Sequence, residues 1–160
     1  MKRQFDFSPE EPTVAPKTVQ TLKAWMEKCG CNFESYQIDS SPIVEGYILA
    51  KVGDSYHWTF TERGVERVDQ VFGNEAEAVS YAYEKIKADG WAWSHIVGFV
   101  KTKKDLMALK SSLDKLQLPY HEDSIPYGGK ADIRYRVYVH GSARELVSEL
   151  RKKYANYRAE

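Results

Sequence analysis

The sequence has few of the residues that mark secreted, metal-binding or membrane proteins. Its two cysteines, Cys29 and Cys31, are one residue apart, too close for an easy disulfide, and two are too few for a zinc site. We expect both to be reduced thiols. No run approaches the roughly 18 apolar residues of a membrane helix, and the N-terminal residues lack the apolar core of a secretory signal. These absences predict a cytoplasmic protein that has no contact with a membrane.

The sequence also lacks the short motifs of the common enzyme classes. It contains no nucleophile elbow and no dinucleotide-binding fingerprint. Gly128-Gly129-Lys130 resembles the end of a phosphate-binding loop, but Ala131 follows where that loop needs Ser or Thr. The histidines lie in separate segments without the spacing of metal ligands: His57, His95, His121 and His140. We therefore expect a protein that is not an enzyme and that binds neither a metal nor an organic cofactor.

Net charge is absent as well, since the chain has 23 basic and 23 acidic side chains. The charges are unevenly divided, however. Residues 1–90 hold 10 basic and 15 acidic side chains, a formal charge of −5, and residues 91–160 hold 13 and 8, a formal charge of +5. This dipolar layout suits electrostatic steering toward a charged protein partner.

What is present is enough for a folded core, because 42% of the residues are hydrophobic and 13% are aromatic. Residues 1–15 contain prolines and show no periodicity, which predicts an extended N-terminal arm. Between Pro16 and Gly30, Val19, Leu22 and Met26 recur at helical spacing and predict the first helix. Alternating or β-branched stretches predict strands over 46–51, 56–61 and 65–72, after a less regular extended stretch at 32–38.

A second helix is predicted from Asn74, a preferred N-cap residue with Glu77 at the third helical position, to Gly90. Its expected apolar stripe is Ala76, Val79, Tyr83 and Ile86.

The second half of the chain predicts a strand, a helix, two strands and a last helix. Trp91–Val100 is apolar enough for a buried strand, and Thr102 is expected to cap the helix that ends before Pro119. Strands follow over 120–125 and 133–140, and Ser142 with Glu145 predicts a capping box for the last helix. The stripe of the middle helix is Leu106, Leu109, Leu113 and Leu116.

Together these elements predict a single compact α+β domain over residues 16–160, with halves 16–90 and 91–160. The expected order is αβββα-βαββα, with antiparallel sheets covered by about four helices. The second half has the layout of a split β-α-β unit of ferredoxin-like type.

Residues 133–140 alternate between two kinds of side chain. Period-two geometry places one set against the leucine stripe of the preceding helix: Ile133, Tyr135, Val137 and Val139. The other face carries His140 together with the three residues that we expect to contact a partner, Arg134, Arg136 and Tyr138.

The same strand leaves two alternative functions open. A nucleic-acid-binding module would use its basic face to hold phosphate and stack bases. The RNA-recognition signature is absent, so nucleic acid is the less favoured partner. A small enzyme would bring His121, Glu122 and His140 beside Arg136 as an acid-base set for phosphodiester cleavage.

One stretch of the first half resembles a known family. Its residues are Glu45-Gly46-Tyr47, Gly53-Asp54-Ser55-Tyr56-His57-Trp58, Glu62-Arg63-Gly64, Phe72 and Glu75-Ala76-Glu77-Ala78. This order resembles the immunity proteins of bacterial polymorphic toxin systems, of the contact-dependent inhibition type. The resemblance implies a cytoplasmic inhibitor, monomeric or dimeric, that binds the toxic domain of a cognate secreted toxin.

The turn after the aromatic strand is the second expected partner surface. It carries Glu62, Arg63, Glu66 and Asp69. A nuclease toxin has a basic groove that holds phosphate, so a carboxylate-rich hairpin that enters this groove would mimic the polyanion.

Overall fold

The computed structural model describes residues 7–39 and 43–155 of the chain. The chain divides into two compact units, residues 1–93 and 94–160. Within the described residues there are four α-helices, two short 3₁₀ helices and two β-sheets, and the strand pairing is mostly antiparallel. The predicted α+β class is therefore confirmed.

The first unit combines two helices with a four-stranded sheet. Helix α1 spans Val19–Lys28 and helix α2 spans Glu75–Ala88. The strands are β1 Tyr36–Gln37, β2 Glu45–Val52, β3 Ser55–Glu62 and β4 Val65–Phe72. They lie in the order β1-β2-β3-β4, and only β1 and β2 are parallel. The extended stretch expected at 32–38 thus contributes one short strand, because only two of its residues pair with β2.

Side-chain caps determine where the helices of this unit begin. The Thr18 hydroxyl oxygen accepts the backbone N–H of Thr21 at 3.1 Å, and the Thr21 hydroxyl oxygen accepts the N–H of Thr18 at 3.2 Å. The Asn74 side-chain oxygen accepts the N–H of Glu77 at 2.9 Å, as the sequence predicts. Each cap satisfies a donor that the first helical turn leaves unpaired and is worth about 1 kcal/mol.

The core of the first unit forms where α1 and α2 cover the sheet. The predicted α2 residues Val79, Tyr83 and Ile86 are buried, but Ala76 is exposed. The predicted stripe is thus wrong only at Ala76, and the buried face is completed by Ala78 and Ala82. The fully buried side chains of the cluster also come from the other elements: Leu22, Met26, Ile38, Leu49 and Trp93.

The strand expected from Trp91 begins only at Ser94. Residues Gly90–Trp93 form a 3₁₀ helix, and the indole N–H of Trp93 donates to the carbonyl oxygen of Ile86 at 3.1 Å. This bond turns the Trp93 ring into the core of the first unit, where it is fully buried. A regular strand over these residues would remove it from that position.

Arg63 and Gly64 form the turn between β3 and β4, as predicted. Both have positive φ angles, 52° and 79°. Two successive positive φ values are characteristic of the type I′ turn, which matches the twist of a two-residue hairpin. The turn positions Glu62 and Val65 as the last cross-strand pair of the hairpin.

The described part of the N-terminal arm, residues 7–15, contains neither helix nor strand and packs on the first unit. The Trp25 indole N–H donates to the carbonyl oxygen of Glu10 at 2.9 Å. Lys87 Nζ lies 3.2 Å from a carboxylate oxygen of Glu11. Residues 1–6 of the expected arm lie outside the described residues.

The second unit contains β5 Ser94–Val100, α3 Lys103–Lys115, β6 His121–Pro126, β7 Ile133–His140 and α4 Ser148–Tyr154. The sheet order is β5-β7-β6, and both pairs are antiparallel. Strands β5 and β6 therefore run in the same direction on either side of β7 and are connected through α3. This arrangement confirms the predicted split β-α-β unit.

Helix α3 begins where the sequence predicts, because the Thr102 hydroxyl oxygen accepts the N–H of Asp105 at 3.1 Å. Its stripe is shorter than expected. Leu106, Leu109 and Leu113 are buried, whereas Leu116 follows the last helical residue and is 49% exposed.

The last helix begins later than expected, and Ser142 does not cap it. Residues Gly141–Leu146 form a 3₁₀ helix, and α4 starts at Ser148 without a side-chain cap. Val147, between the two, is 2% exposed. Its side chain packs in the core of the second unit and so anchors the start of α4 without capping it.

Candidate functional site

A cavity of about 480 Å³ opens at one end of the first unit's sheet. Six of its lining side chains determine its chemistry: the carboxylates Glu34, Glu45 and Asp89, and the rings of Tyr36, Tyr47 and Phe60. None of the described residues that line it is basic. The cavity is therefore both acidic and aromatic.

Asp89 is held in place by two hydrogen bonds. Its Oδ2 accepts the Tyr36 hydroxyl at 2.6 Å, and its Oδ1 accepts the backbone N–H of Trp91 at 3.0 Å. Burial and the bond to Asp89 raise the pKa of the Tyr36 phenol above its usual range, so the hydroxyl remains a donor. Asp89 also directly follows α2, where the carbonyl groups of the helix C-terminus add negative potential.

The rings form a row across three strands. Tyr36 pairs with Tyr47 across β1 and β2, and Tyr47 pairs with Phe60 across β2 and β3. The two tyrosine rings lie 15° from parallel with centroids 6.1 Å apart, and the Tyr47 and Phe60 centroids are 5.1 Å apart. Directly opposed residues of paired strands project to the same face. The strand register therefore brings the three rings together at the cavity.

Gly46 allows β2 to approach the segment before β1. Its φ is +142°, and a Cβ at this position would overlap the carbonyl oxygen of Ser35. The same oxygen accepts the N–H of Tyr47 at 2.8 Å. Only glycine permits this approach, which fixes the wall of the cavity between Glu45 and Tyr47.

The structure places two of the predicted hairpin residues close to this cavity. Glu62 is exposed at the end of β3 and lies directly opposite Glu45 of β2. Arg63 follows it in the exposed turn. Glu66 lies farther along β4, exposed and opposite Thr61. The predicted Glu62 thus stands beside a carboxylate that lines the cavity.

Asp69, also an expected partner residue, is paired with Arg67 of its own strand. Arg67 Nε donates to its Oδ1 at 2.5 Å and Arg67 Nη2 donates to its Oδ2 at 3.2 Å. These bonds lower the pKa of the Asp69 carboxyl group. Because Arg63 and Arg67 alternate with the carboxylates of the hairpin, it lacks the continuous negative surface expected of a polyanion mimic.

Arg67 also contacts the aromatic row. Its guanidinium carbon is 5.1 Å from the centroid of the Phe60 ring. The hydrogen bond to Asp69, with a smaller contribution from Tyr47, raises the pKa of the Arg67 guanidinium. A guanidinium group therefore already lies on a ring that borders the cavity.

The expected partner residues of the second unit are engaged within that unit. Arg134 Nε donates to Asp132 Oδ1 at 2.8 Å, and its guanidinium carbon lies 5.0 Å from the Tyr127 ring centroid. Arg136 binds Asp123 through two hydrogen bonds of 2.7 and 2.6 Å. Each guanidinium is paired with a carboxylate, which reduces the positive charge that this face of β7 offers to phosphate.

Tyr138, the third expected partner residue of this strand, is only 8% exposed, so little of its ring is open to a partner. Its ring is covered by two neighbours on the same face. Arg136 lies over it at 5.6 Å, and the His121 ring from β6 lies 6.1 Å away. On the opposite face, Val137 and Val139 are fully buried, but Ile133 is 37% exposed, because it begins the strand beyond the end of the core.

Of the acid-base set of the enzyme alternative, the strand register places His121, Arg136 and His140 on one face of the β6–β7 pair and Glu122 on the other. Glu122 is opposite Val137 and its carboxylate lies 2.9 Å from Lys110 Nζ, whereas His121 projects to the other face of β6. Burial lowers the pKa of His140, and His121 and His95 lower it further. His140 is therefore predominantly neutral near pH 7.

Sequence reasoning missed most of the cavity. Tyr36 and Asp89, which form its shortest hydrogen bond, lie 53 positions apart, and no local pattern connects them. Tyr47 and Phe60 carried a signal in the aromatic alternation of their strands, but only the register shows that their rings meet.

Comparison with known proteins gives no relative: no family model, no curated protein and no solved structure matches the chain. In the described part of the chain, no three His, Cys, Asp or Glu side chains are grouped so that they could hold a metal ion. Over the same residues, no helix has the length and apolar character needed to cross a membrane.

Proposed function

We propose that the protein is an immunity protein that binds and neutralises the toxic domain of a cognate secreted toxin in the cytoplasm. It acts by binding rather than by catalysis, within a polymorphic toxin system of the contact-dependent inhibition type. The resemblance of residues 44–87 to such proteins supports this proposal. The structural observation that carries it is the exposed edge strand β4.

Strand β4 is an edge of its sheet, and three of its valines are exposed. Val65, Val68 and Val71 are 71%, 49% and 57% exposed. Within the described residues, no further strand pairs with its outer edge. Edge strands of this kind accept a strand of a partner protein, because main-chain hydrogen bonds supply affinity and alternate side chains supply specificity.

Charge complements the apolar contacts of this strand. Glu62 and Glu66 are exposed, and the first half of the chain carries a formal charge of −5. A toxin domain that holds phosphate must be basic, and opposite charge accelerates capture of such a target. Fast capture matters to an inhibitor because one free toxin molecule acts repeatedly.

The test begins with the gene immediately upstream, which this proposal expects to encode a large secreted protein. Its C-terminal domain is expressed from an inducible promoter in cells with and without this chain, and growth is followed. We expect co-expression to restore growth and the purified proteins to form a stoichiometric complex. Toxicity that persists although both proteins are soluble would overturn the proposal.

Variants then test whether β4 is the interface. The double variant Val65→Lys/Val68→Lys changes two exposed side chains and should therefore leave the fold intact. We expect it to abolish both complex formation and protection. Met107→Lys is the matched control, because Met107 on α3 is 61% exposed and lies in the other unit. Protection by the double lysine variant at the wild-type level would exclude β4.

A further inference from the structure

We infer that the acidic aromatic cavity of the first unit is a binding site for a guanidinium group. The inference stands on the cavity itself and does not depend on the inhibitor function. The ligand is either a small guanidinium compound or the side chain of an arginine in a bound protein. Both present the same planar cation.

The charge of the cavity selects a cation. Glu34 and Glu45 are exposed at its rim, and Asp89 is the carboxylate that two hydrogen bonds hold in a fixed position. Glu62 lies opposite Glu45 on the neighbouring strand. Like charges on directly opposed residues destabilise a sheet, and a bound cation relieves this repulsion.

The rings of the cavity select a planar cation. A guanidinium stacks on aromatic faces and binds a carboxylate through two parallel hydrogen bonds, whereas an ammonium acts as a point charge. The structure contains one example of this contact, because Arg67 lies over Phe60 while it binds Asp69 through two nitrogens. Tyr36 and Tyr47 stack on each other and on Trp58, and with Phe60 they give the cavity its aromatic lining.

The site is also formed before any ligand arrives. The Tyr36 hydroxyl orients Asp89, and the approach of Gly46 to Ser35 fixes the start of β2. Side chains that are already ordered lose little conformational entropy on binding. A volume of about 480 Å³ is within the range of small-molecule sites and exceeds the volume of one guanidinium. The extra space accommodates the aliphatic stem of an arginine.

The first experiment is a titration followed by NMR on the full-length protein. N-acetyl-L-arginine amide carries the guanidinium as its only charge, and N-acetyl-L-citrulline amide has nearly the same shape without the charge. We expect the arginine compound to shift the signals of Tyr36, Tyr47 and Phe60 with a Kd of about 1–10 mM, and the citrulline compound to cause no shift. A capped Gly-Gly-Arg-Gly-Gly peptide then identifies the source. Equal or tighter binding of the peptide indicates a protein side chain, and its exclusion indicates a small molecule.

One variant that should weaken binding and one that should strengthen it separate an effect on recognition from a general effect on folding. Glu34→Gln with Glu45→Gln should weaken binding of the arginine compound by about tenfold, since each exposed carboxylate contributes modestly. Arg67→Gln should strengthen binding, because it removes the nearest competing cation from the Phe60 ring. Glu27→Gln, an exposed carboxylate of α1, is the matched control and should leave the affinity unchanged.

Three results would each overturn the inference. The first is equal affinity for the arginine and citrulline compounds. The second is the absence of any shift at these rings up to about 50 mM of the arginine compound, far above the expected Kd. The third is wild-type affinity in the double glutamine variant when thermal unfolding shows that it is folded.

Discussion

Arg136 holds Asp123 of the neighbouring strand in a two-pronged pair, Nε to Oδ1 at 2.7 Å and Nη2 to Oδ2 at 2.6 Å. The two side chains are 27% and 16% exposed, so water screens the pair only in part. The pair connects β7 to β6 on the face that the sequence predicts to contact a partner. Arg136 is therefore a structural link between the two strands.

Arg136→Ala should lower the free energy of unfolding by about 1.5–3 kcal/mol, because Asp123 loses its partner while it is largely buried. Urea unfolding of Arg136→Ala, Asp123→Ala and the double variant measures the pair directly. We expect a coupling energy above about 1 kcal/mol. Additive effects of the two single substitutions would show that the pair contributes nothing beyond its members.

Val137→Ala should lower the free energy of unfolding by about 1–3 kcal/mol, because it opens a small cavity in the core of the second unit. Val137 is fully buried, whereas Ile133 on the same strand is 37% exposed. Ile133→Ala is therefore the control and should cost less than about 1 kcal/mol. Urea unfolding of the two variants measures both losses of unfolding free energy. If both variants lost the same unfolding free energy, Ile133 would belong to the core as much as Val137 does.

Gly46→Ala should destabilise the first unit by about 2–4 kcal/mol, because the new Cβ meets the Ser35 carbonyl oxygen and the φ angle is unfavourable. Gly64→Ala separates the two causes. Gly64 also has a positive φ, 79°, but a Cβ there meets nothing within 4 Å. Its substitution should cost only about 1 kcal/mol, the price of the left-handed conformation. Thermal melts of the two variants provide the comparison, and similar losses would argue against the backbone contact.

Stability should fall as the pH is lowered through the titration range of His140. Burial holds the folded-state pKa of His140 below its ordinary value of 6.5, so the unfolded chain binds this proton more readily than the folded protein. The contribution is present above the unfolded pKa and is lost as the pH falls through the folded pKa. Unfolding free energies measured from about pH 7.5 to about pH 5.5 should decline less in His140→Gln than in the wild type. His57→Gln, a histidine of β3 in the other unit, is the control. A wild-type slope in His140→Gln would assign the proton to another group.

The elements that the sequence predicts well are those that local chemistry defines. Asn74 and Thr102 cap helices because a short polar side chain reaches the backbone N–H three positions later, and both contacts are visible in the sequence. The Arg63-Gly64 turn is local in the same sense. Strand β4 is predicted with its observed ends, Val65 and Phe72.

What the sequence does not predict depends on partners that are distant along the chain. Tyr138 is buried because residues of its own sheet cover the ring, and alternation alone cannot distinguish a covered face from an open one. Strand β4 contains a β-bulge, because Asp69 is an extra residue between the pairs Trp58–Gln70 and Thr59–Val68. The sequence pattern does not predict this bulge. The cavity is the clearest case, because its carboxylates and rings come from four separate stretches of the chain.

The carbonyl oxygen of Glu10 accepts two donors, the Trp25 indole of α1 and, at 3.6 Å, the thiol of Cys29, which directly follows α1. Burial, and next the charge of Glu10, raise the pKa of this thiol, so little reactive thiolate exists while the arm is docked. Detachment of the arm would remove both of these hydrogen bonds together with the nearby charge of Glu10. Loosening of the N-terminal segment should therefore change the rate at which an alkylating reagent consumes Cys29.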